Sequence, residues 1–188
     1  PKEIIDIPRY AIINVHSSLL PKYRGASPIH SAILNGDVIS GISIMYIEEE
    51  LDAGDIILKE YCEITEEDTL GTLHDKLKEL GADGLRKELK HIEENNVNAE
   101  KQDNTKASFV KPISKEQSKI DWNETKENIY NKIRGLNPFP GAYTFNENKE
   151  IIKIYRAEKL EKTYSGQNGE VVEIINKKGP VIKTENGG

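Results

Sequence analysis

Cysteine and aromatic residues are scarce in this sequence of 188 residues. The single cysteine, Cys62, excludes an internal disulfide and any metal site made of several thiolates. Because disulfides are rare in reducing compartments, the cysteine content indicates a cytoplasmic protein. Aromatic side chains form only 6% of the chain, which leaves isoleucine, leucine and valine to build a hydrophobic core.

Long apolar segments are also missing. No run of about 18 hydrophobic residues occurs, so no membrane-spanning helix is expected. The first ten residues, PKEIIDIPRY, have neither the charged tip nor the apolar stretch of a secretory signal peptide. Charged residues make up 31% of the chain, and its length suffices for one large domain or two small ones. These features predict a soluble protein with no membrane partner.

Charge is unevenly distributed along the chain. Residues 1–97 hold 10 Lys and Arg against 19 Asp and Glu, a net charge of −9. Residues 98–188 hold 16 against 13, a net charge of +3, and the whole chain carries −6. A change of sign between halves indicates two units with different functions. The second unit could face a polyanion, and a solvated lysine-rich surface is an equally good alternative.

The first half alternates between strand and helix patterns, which predicts an α/β layer. β-Branched runs predict strands near 11–16, 41–48 and 55–64. The segment SPIHSAILNGD predicts a short helix that ends at an Asn-Gly pair. Thr69 is a suitable N-cap for the one or two amphipathic helices that follow. The apolar stripe of these helices is predicted to consist of Leu70, Leu73, Leu77, Leu80, Leu85 and Leu89.

The second half begins with a polar, irregular segment. We predict a linker over residues 101–116, anchored by Phe109 and Val110. The sequence TKENIYNKIRGLN then predicts a helix with one apolar face and a glycine near its end. Two later runs, GAYTFNENKEIIKIYRAEKL and GEVVEIINKKGPVIKT, are β-rich and broken by turn residues. Residues 117–188 are therefore predicted to form a helix followed by a small antiparallel barrel or sandwich.

One predicted strand ends in polar residues and is the first candidate for a site. In AIINVHSS, Asn14 and His16 are two residues apart, so a strand would place both side chains on one face. Ligands of open α/β sheets bind beyond the carboxyl ends of the strands. There a carboxamide N–H can donate to a developing oxyanion, and an imidazole can transfer a proton near neutral pH. A turn-capping Asn and a structural His are the alternative explanation.

The segment EEELDAGD supplies a carboxylate at a second loop. Gly54 permits a tight turn after the predicted strand 41–48, and Asp52 lies at that turn. A carboxylate beside an imidazole fixes its tautomer and stabilises its cationic form. A solvated acidic loop is the alternative for this segment alone. The combination of Asn14, His16 and Asp52 is more specific than any one of them.

Two longer segments carry a resemblance to a known family. NVHSSLLPKYRGASPIHSAILNGD and GISIMYIEEELDAGDII resemble the formyltransferase superfamily that uses 10-formyltetrahydrofolate as formyl donor. The resemblance assigns the family's catalytic Asn, His and Asp to Asn14, His16 and Asp52. It assigns the loop that helps to hold the folate to Ser18, Leu19, Leu20 and Pro21. It implies an α/β, Rossmann-like catalytic domain over residues 1–100, of which this sequence would contain only the C-terminal half.

The second half resembles one branch of that superfamily, the methionyl-tRNA formyltransferases. The match is carried by Ile120-Asp121-Trp122, by Arg134 and by the segment NPFPGA. Residues 117–188 would then form a β-barrel domain that binds tRNA, joined to the catalytic domain by the linker 101–116. Glycinamide ribonucleotide formyltransferases have no such domain, whereas sugar-nucleotide formyltransferases and formyl-folate dehydrogenase have related ones.

The resemblance implies transfer of a formyl group from 10-formyltetrahydrofolate to the α-amino group of methionine on initiator tRNA, for translation initiation. The amine would attack the formyl carbon and form a tetrahedral oxyanion, which Asn14 would stabilise. His16 would move protons or bind the oxyanion as a cation. Asp52 would support the imidazole or accept the amine proton through water, and which residue is the base stays open. The implied partners are initiator Met-tRNA and the folate donor, with neither metal nor membrane, in a monomeric protein.

Two other functions stay open at this point. One is the same chemistry on a nucleotide-linked amino sugar, and the other is a non-catalytic RNA-binding module. Cations that could meet tRNA phosphates, or else be solvated, are Lys111, Lys115, Lys119 and Arg134. Lys22 and Arg24 flank the folate loop and have the same two explanations. The remaining histidines are predicted to be structural residues of helices and are His30, His74 and His91.

Overall fold

The first half of the chain contains both helices and strands, and the second half contains one helix and two β-hairpins. The computed structural model describes residues 2–188, and Pro1, where the first predicted domain begins, lies outside the described residues. The helices are α1 (Lys2–Ile5), α2 (Pro28–Leu34), α3 (Leu70–Glu93) and α4 (Lys126–Gly135). The strands are β1 (Ile13–His16), β2 (Arg24–Gly25), β3 (Ile39–Tyr46), β4 (Ile56–Glu63), β5 (Phe109–Val110), β6 (Ala142–Phe145), β7 (Ile151–Ile154), β8 (Val171–Ile175) and β9 (Gly179–Ile182). Within residues 2–188, no helix is long and apolar enough to cross a membrane.

β1, β3 and β4 form a three-stranded sheet in the order β1-β3-β4, and both pairings are antiparallel. The mixed α/β class is therefore confirmed, with strands close to the predicted positions. The strand directions differ from the open sheet on which the site was predicted, in which carboxyl ends of strands meet at one crevice. The short loop between β3 and β4 explains this for one pair, because a parallel pair needs a crossover of about a dozen residues or more.

β3 is buried on both faces over most of its length. Ile42 and Ile44 point to a core that includes the buried leucines of α3. A Cβ added to Gly81 of α3 would come within 2.9 Å of a Val15 methyl carbon, so the helix lies very close to the sheet. On the opposite face, Met45 packs with Leu20, which belongs to the loop that follows β1. The sheet is thus enclosed between a helix and that loop.

α3 begins at a capping box, as predicted for Thr69. The Thr69 hydroxyl accepts a hydrogen bond from the Thr72 N–H at 3.3 Å, and the Thr72 hydroxyl accepts one from the Thr69 N–H at 2.9 Å. The buried residues of the helix are Leu73, Leu77, Gly81, Gly84 and Glu88. Leu89 was wrongly included in the apolar stripe, since it is 51% exposed and lies about 100° around the helix from the buried face.

The second half has its own hydrophobic core but no closed barrel among the described residues. Its buried residues are Ile120, Ile129, Ile133, Leu136 and Ala142. Trp122 packs against this core, and its indole N–H donates to the Thr144 hydroxyl at 3.1 Å. β6 pairs with β7 and β8 with β9, each as a separate antiparallel hairpin. The predicted barrel is therefore not confirmed, because no ladder joins the two hairpins.

The predicted linker is bound to the first half of the chain. β5 pairs in parallel with β2, with Phe109 opposite Arg24 and Val110 opposite Gly25. Val110 packs against the core of the first half, as predicted. Phe109 stays 63% exposed, and the Arg24 guanidinium lies 5.8 Å from the centre of its ring. The segment therefore wraps the sheet unit instead of spanning freely between the two halves.

Arg134 joins the two halves of the chain. Its guanidinium is almost fully buried and donates to the carbonyl oxygens of Thr65 at 2.8 Å and Asp68 at 3.0 Å. Nearby, the Tyr130 hydroxyl donates to the Glu66 carbonyl at 2.9 Å. Arg134 was a candidate contact to tRNA phosphates, and that interpretation is wrong because the protein itself encloses the cation.

Asp68 connects this junction to α3. The carboxylate is buried and accepts hydrogen bonds from Lys76 Nζ at 2.6 Å, the Thr65 N–H at 2.8 Å and the Thr72 hydroxyl at 2.9 Å. Burial by itself favours the neutral acid, but these hydrogen bonds outweigh it and hold the pKa of Asp68 below its usual value. The charged carboxylate therefore stabilises the folded state.

We expect Asp68→Asn to lower the free energy of unfolding by about 1.5–3 kcal/mol at neutral pH, because charge-assisted hydrogen bonds are lost. The contribution is complete above the unfolded-chain pKa of about 4 and disappears as the pH falls through the lower folded pKa. Urea unfolding of wild type and variant at neutral and acidic pH measures the difference. Asp75→Asn, a 70% exposed carboxylate on the same helix, should change little. An Asp68→Asn loss that is the same at both pH values would contradict the expectation.

Candidate functional site

His16 and Asp52, predicted from separate motifs, meet in the structure. His16 ends β1 and is 7% exposed. Its Nδ1 lies 3.7 Å from Asp52 Oδ2, and its Nε2 lies 2.9 Å from the carbonyl oxygen of Tyr23. A carbonyl oxygen only accepts hydrogen bonds, so Nε2 carries a proton and Nδ1 is the nitrogen that gains or loses one. The exchangeable position of the imidazole therefore faces the carboxylate.

Asp52 adopts an unusual backbone conformation. Its φ of +50° lies in the left-handed region, which Asp tolerates better than most residues. The carboxylate oxygen Oδ2 accepts a hydrogen bond from the Gly25 N–H at 2.7 Å. Two residues further on, a Cβ added to Gly54 would collide with the carbonyl oxygen of Tyr46. The turn therefore requires glycine at position 54, which is the reason that the sequence motif places one there.

The loop that carries Asp52 has to bend back to reach His16. Tyr46, at the end of β3, lies opposite Ile13 at the start of β1, whereas His16 lies at the other end of β1. The side-chain amide of Gln102 holds the loop by donating to the carbonyl oxygens of Asp52 and Gly54, both at 2.8 Å. The sequence contained no signal for this residue, because an isolated Gln in a polar segment has no distinguishing pattern.

Asn14 shares a face of the sheet with His16, as the period of two predicts. It lies opposite Met45, and His16 lies opposite Ser43. The Asn14 side chain is half-buried and makes no hydrogen bond to another side chain or backbone group within residues 2–188. Its donors and its acceptor are therefore available to a bound group.

The predicted folate loop is built around Ser43 of β3. The Ser43 hydroxyl donates to the Ser18 carbonyl at 2.7 Å and accepts from the Leu20 N–H at 3.0 Å. Ser18 and Leu20 are each 1% exposed, while Leu19 and Pro21 are half-buried. Two of the four predicted residues therefore hold the loop from inside, and the other two keep surface that a ligand could contact.

A cleft of about 500 Å³ opens beside His16. The first half contributes Ser17, His30 and His74 to its wall, and the second half contributes Phe139. Burial lowers the pKa of His30, and a hydrogen bond to the Phe139 backbone partly opposes the shift. The sequence predicted His30 and His74 only as structural residues of helices, whereas both lie on this wall. His16 thus faces a space between the two halves.

The two cations that flank the loop have different environments. Arg24 is 1% exposed, and its guanidinium is bound inside the protein, so the prediction of an anion-binding or solvated cation is wrong for it. Lys22 is exposed and binds Asp37 at 2.8 Å. Burial acts to lower the pKa of Lys22, but hydrogen bonds with Asp37 and Tyr23 outweigh it and raise the value. Only Lys22 keeps access to an external anion.

The arrangement of His16, Asp52 and Asn14 suits proton transfer next to a substrate oxygen that gains negative charge. An imidazole–carboxylate pair can take up and release a proton, and an uncommitted carboxamide can donate to an oxyanion. Within residues 2–188, no group of three or more His, Cys, Asp and Glu side chains is placed to hold a metal ion.

Two family models match the chain. The model described as formyl transferase matches residues 1–89, which include Asn14, His16 and Asp52. The model described as formyl transferase, C-terminal domain, matches residues 112–188.

Individual relatives extend along the whole chain. A methionyl-tRNA formyltransferase from Fusobacterium nucleatum subsp. nucleatum is 56% identical and covers 100% of this chain and 60% of its own length. One from Halothermothrix orenii is 45% identical, over 97% of this chain and 59% of its own length. This chain thus spans about 60% of the length of these relatives. A solved N-formyltransferase from Helicobacter canadensis, in complex with folinic acid and dTDP-3-aminofucose, has the same fold, with a TM-score of 0.74 at 24% identity over 94% of this chain and 63% of that one.

Ser43→Ala is expected to destabilise the protein by about 1–3 kcal/mol, because the Ser18 carbonyl and the Leu20 N–H lose their partner in a buried position. Urea unfolding measures this difference. Ser40→Ala is the matched control, since Ser40 is a buried serine of the same strand whose hydroxyl bonds no described group. Equal effects of the two substitutions would show that Ser43 does not hold the loop.

Proposed function

The chain belongs to the formyl transferase family, and we propose that it transfers the formyl group of 10-formyltetrahydrofolate to the α-amino group of methionine on initiator tRNA. The similarity to methionyl-tRNA formyltransferases along both halves supports this acceptor. The chemistry is carried by one observation, the contact of His16 Nδ1 with Asp52 Oδ2 at 3.7 Å. The reaction would serve translation initiation, in the cytoplasm and without a metal ion.

In this proposal Asn14 binds the oxyanion, and His16 and Asp52 handle the proton. The amine nitrogen attacks the formyl carbon, and the resulting oxyanion accepts a hydrogen bond from the uncommitted Asn14 carboxamide. A proton leaves the amine through His16 or, by way of water, to Asp52. The bond between the formyl carbon and the folate nitrogen then breaks, and that nitrogen takes up a proton. Gly25 would keep the carboxylate in place through its N–H, which lies 2.7 Å from Asp52 Oδ2.

The loop after β1 would contact the formyl donor. Leu19 and Pro21 keep exposed surface, so we propose that they pack against the folate. Ser18 and Leu20 would act from inside, since their contacts with Ser43 and Lys22 shape the loop. The loop lies beside His16 in the chain, which brings the donor close to the proposed acid–base pair.

The domain organisation is part of the same proposal. We assign residues 1–100 to the catalytic domain, 101–116 to a linker and 117–188 to a tRNA-binding domain, in which the two hairpins would be parts of a β-barrel. The separate hydrophobic cores of the two halves support this division. Lys111, Lys115 and Lys119 are exposed and carry no ion pair to a described residue, so they stay candidates for phosphate contacts. A monomeric state is proposed as well.

Asn14→Ala and Asp52→Ala are each expected to lower kcat by about 10²- to 10³-fold, because an oxyanion donor or the partner of the imidazole is lost. Formyl transfer to initiator Met-tRNA under single-turnover conditions measures the change, and circular dichroism shows that the fold is intact. Glu49→Gln is the control, since Glu49 is an exposed carboxylate of the same acidic loop. Near-normal turnover in either alanine variant would exclude the assigned role.

The acceptor is tested by comparing substrates. We expect formylation of initiator Met-tRNA and no formylation of a nucleotide-linked amino sugar, with the same formyl donor in both assays. The reverse preference would replace the proposed acceptor with an amino sugar. Titration with a folate analogue provides a further measurement, because tRNA binding without folate binding would indicate a non-catalytic RNA-binding protein.

A further inference from the structure

We propose that Gln102 and Arg24 are positioning residues that hold the Asp52 carboxylate against His16. Neither side chain touches a group that reacts in the proposed mechanism. The inference rests on the proposed function for the catalytic role of Asp52, whereas the network that positions Asp52 is a property of the fold.

The amide of Gln102 is fully used. Its Nε2 donates to the carbonyl oxygens of Asp52 and Gly54, both at 2.8 Å. Its Oε1 accepts from Arg24 Nε at 3.1 Å and from Arg24 Nη2 at 2.8 Å. A rotated amide would set its NH₂ group against the guanidinium and its oxygen against two carbonyl oxygens, so only one orientation satisfies all four bonds. One side chain thereby fixes two carbonyl groups of the turn.

Arg24 in turn holds Gln102. Its guanidinium is 1% exposed and has two further partners, Asn104 Oδ1 at 2.7 Å and Glu50 Oε1 at 3.4 Å. The Arg24 N–H donates to the Ser108 carbonyl at 2.8 Å. A buried cation is costly to leave without partners, so the guanidinium stays where these acceptors are. The Gln102 amide is therefore held between the fixed Arg24 guanidinium and the carbonyl groups of the Asp52 turn.

Asp52 needs such support. Its left-handed φ and the bend of its loop toward His16 are both local arrangements that the chain would otherwise relax. Among the described residues, the Gly25 N–H is the only hydrogen-bond donor to its carboxylate. Gly25 follows Arg24 directly, so the residue that orients Gln102 also places the N–H that receives the carboxylate. Both ends of Asp52, backbone and side chain, are thus tied to β2.

The same segment braces the second loop of the site. The Ser108 hydroxyl accepts from the Tyr23 N–H at 2.9 Å, and the Val110 carbonyl accepts from the Ala26 N–H at 3.0 Å. Tyr23 is the residue whose carbonyl oxygen contacts His16 Nε2. The segment 102–110, predicted only as a linker, therefore supports the proposed catalytic His and Asp alike.

The test uses two substitutions that remove different hydrogen bonds of the amide. Gln102→Glu keeps an acceptor for Arg24 but replaces the donors to the turn with an oxygen, whereas Gln102→Leu removes both. Each is expected to lower kcat for formyl transfer by about 10- to 100-fold, because Asp52 is misplaced. The KM values of the folate donor and of Met-tRNA should stay nearly unchanged. Asp103→Asn is the control, since Asp103 is an exposed neighbour that caps a short 3-10 turn.

A second measurement does not depend on activity. Among residues 2–188, the Gly25 N–H bonds only to Asp52, so its hydrogen exchange, followed by NMR, reports the position of the carboxylate. In Gln102→Glu this exchange should be about 10-fold faster or more, because a hydrogen bond to a charged group is lost. The Leu20 N–H, which bonds to Ser43, is the internal reference and should not change.

The outcomes separate the two proposals. Normal Gly25 exchange and normal kcat in Gln102→Glu would overturn the positioning role. Equal acceleration at Gly25 and Leu20 would overturn it too, because it would show general destabilisation. If the wild-type protein transfers no formyl group, faster exchange at Gly25 alone in Gln102→Glu would still support the positioning network, while the missing activity would reject the proposed function.

Discussion

The burial of β3 on both faces is the constraint on which the other parts depend. Ile42 and Ile44 hold α3 on one side, and Ser43 and Met45 hold the loop after β1 on the other. Because side chains alternate along a strand, the face that carries Ser43 is also the face of Asn14 and His16. The core that stabilises the sheet and the surface that carries the candidate site are therefore two sides of a single strand pair.

Because β1 and β3 are antiparallel, the loop after β3 begins at the end of β1 that is distant from His16. The end of β3 lies away from His16, so Asp52 reaches the imidazole only because its turn bends back and is held there. That support comes from Gln102, 50 residues further along the chain. The predicted linker is consequently part of the framework that positions His16 and Asp52.

The sequence predicted features that depend on near neighbours. The β-branched runs indicated three strands, Thr69 indicated the start of α3, and the period of two placed Asn14 and His16 on one face. Predictions that depended on distant partners were less successful. The prediction of surface cations is wrong for Arg24 and Arg134, because distant carbonyl and amide groups enclose both. The prediction that Leu89 belongs to the apolar stripe is also wrong, because its side chain points away from the buried face of α3.

The sequence by itself indicated most of the helices and strands, proposed Asn14, His16 and Asp52 for the candidate site and, through its motifs, pointed to the family. These properties follow from periodicity, capping and short motifs, which act over a few residues. Only the tertiary structure decided the strand directions, the meeting of His16 with Asp52 and the role of Gln102. Those depend on contacts between residues that are distant in the chain, from the bond of Gly25 to Asp52, 27 residues apart, to that of Tyr23 to Ser108, 85 residues apart. Such contacts form only when burial has brought the segments together, and they leave no local pattern in the chain.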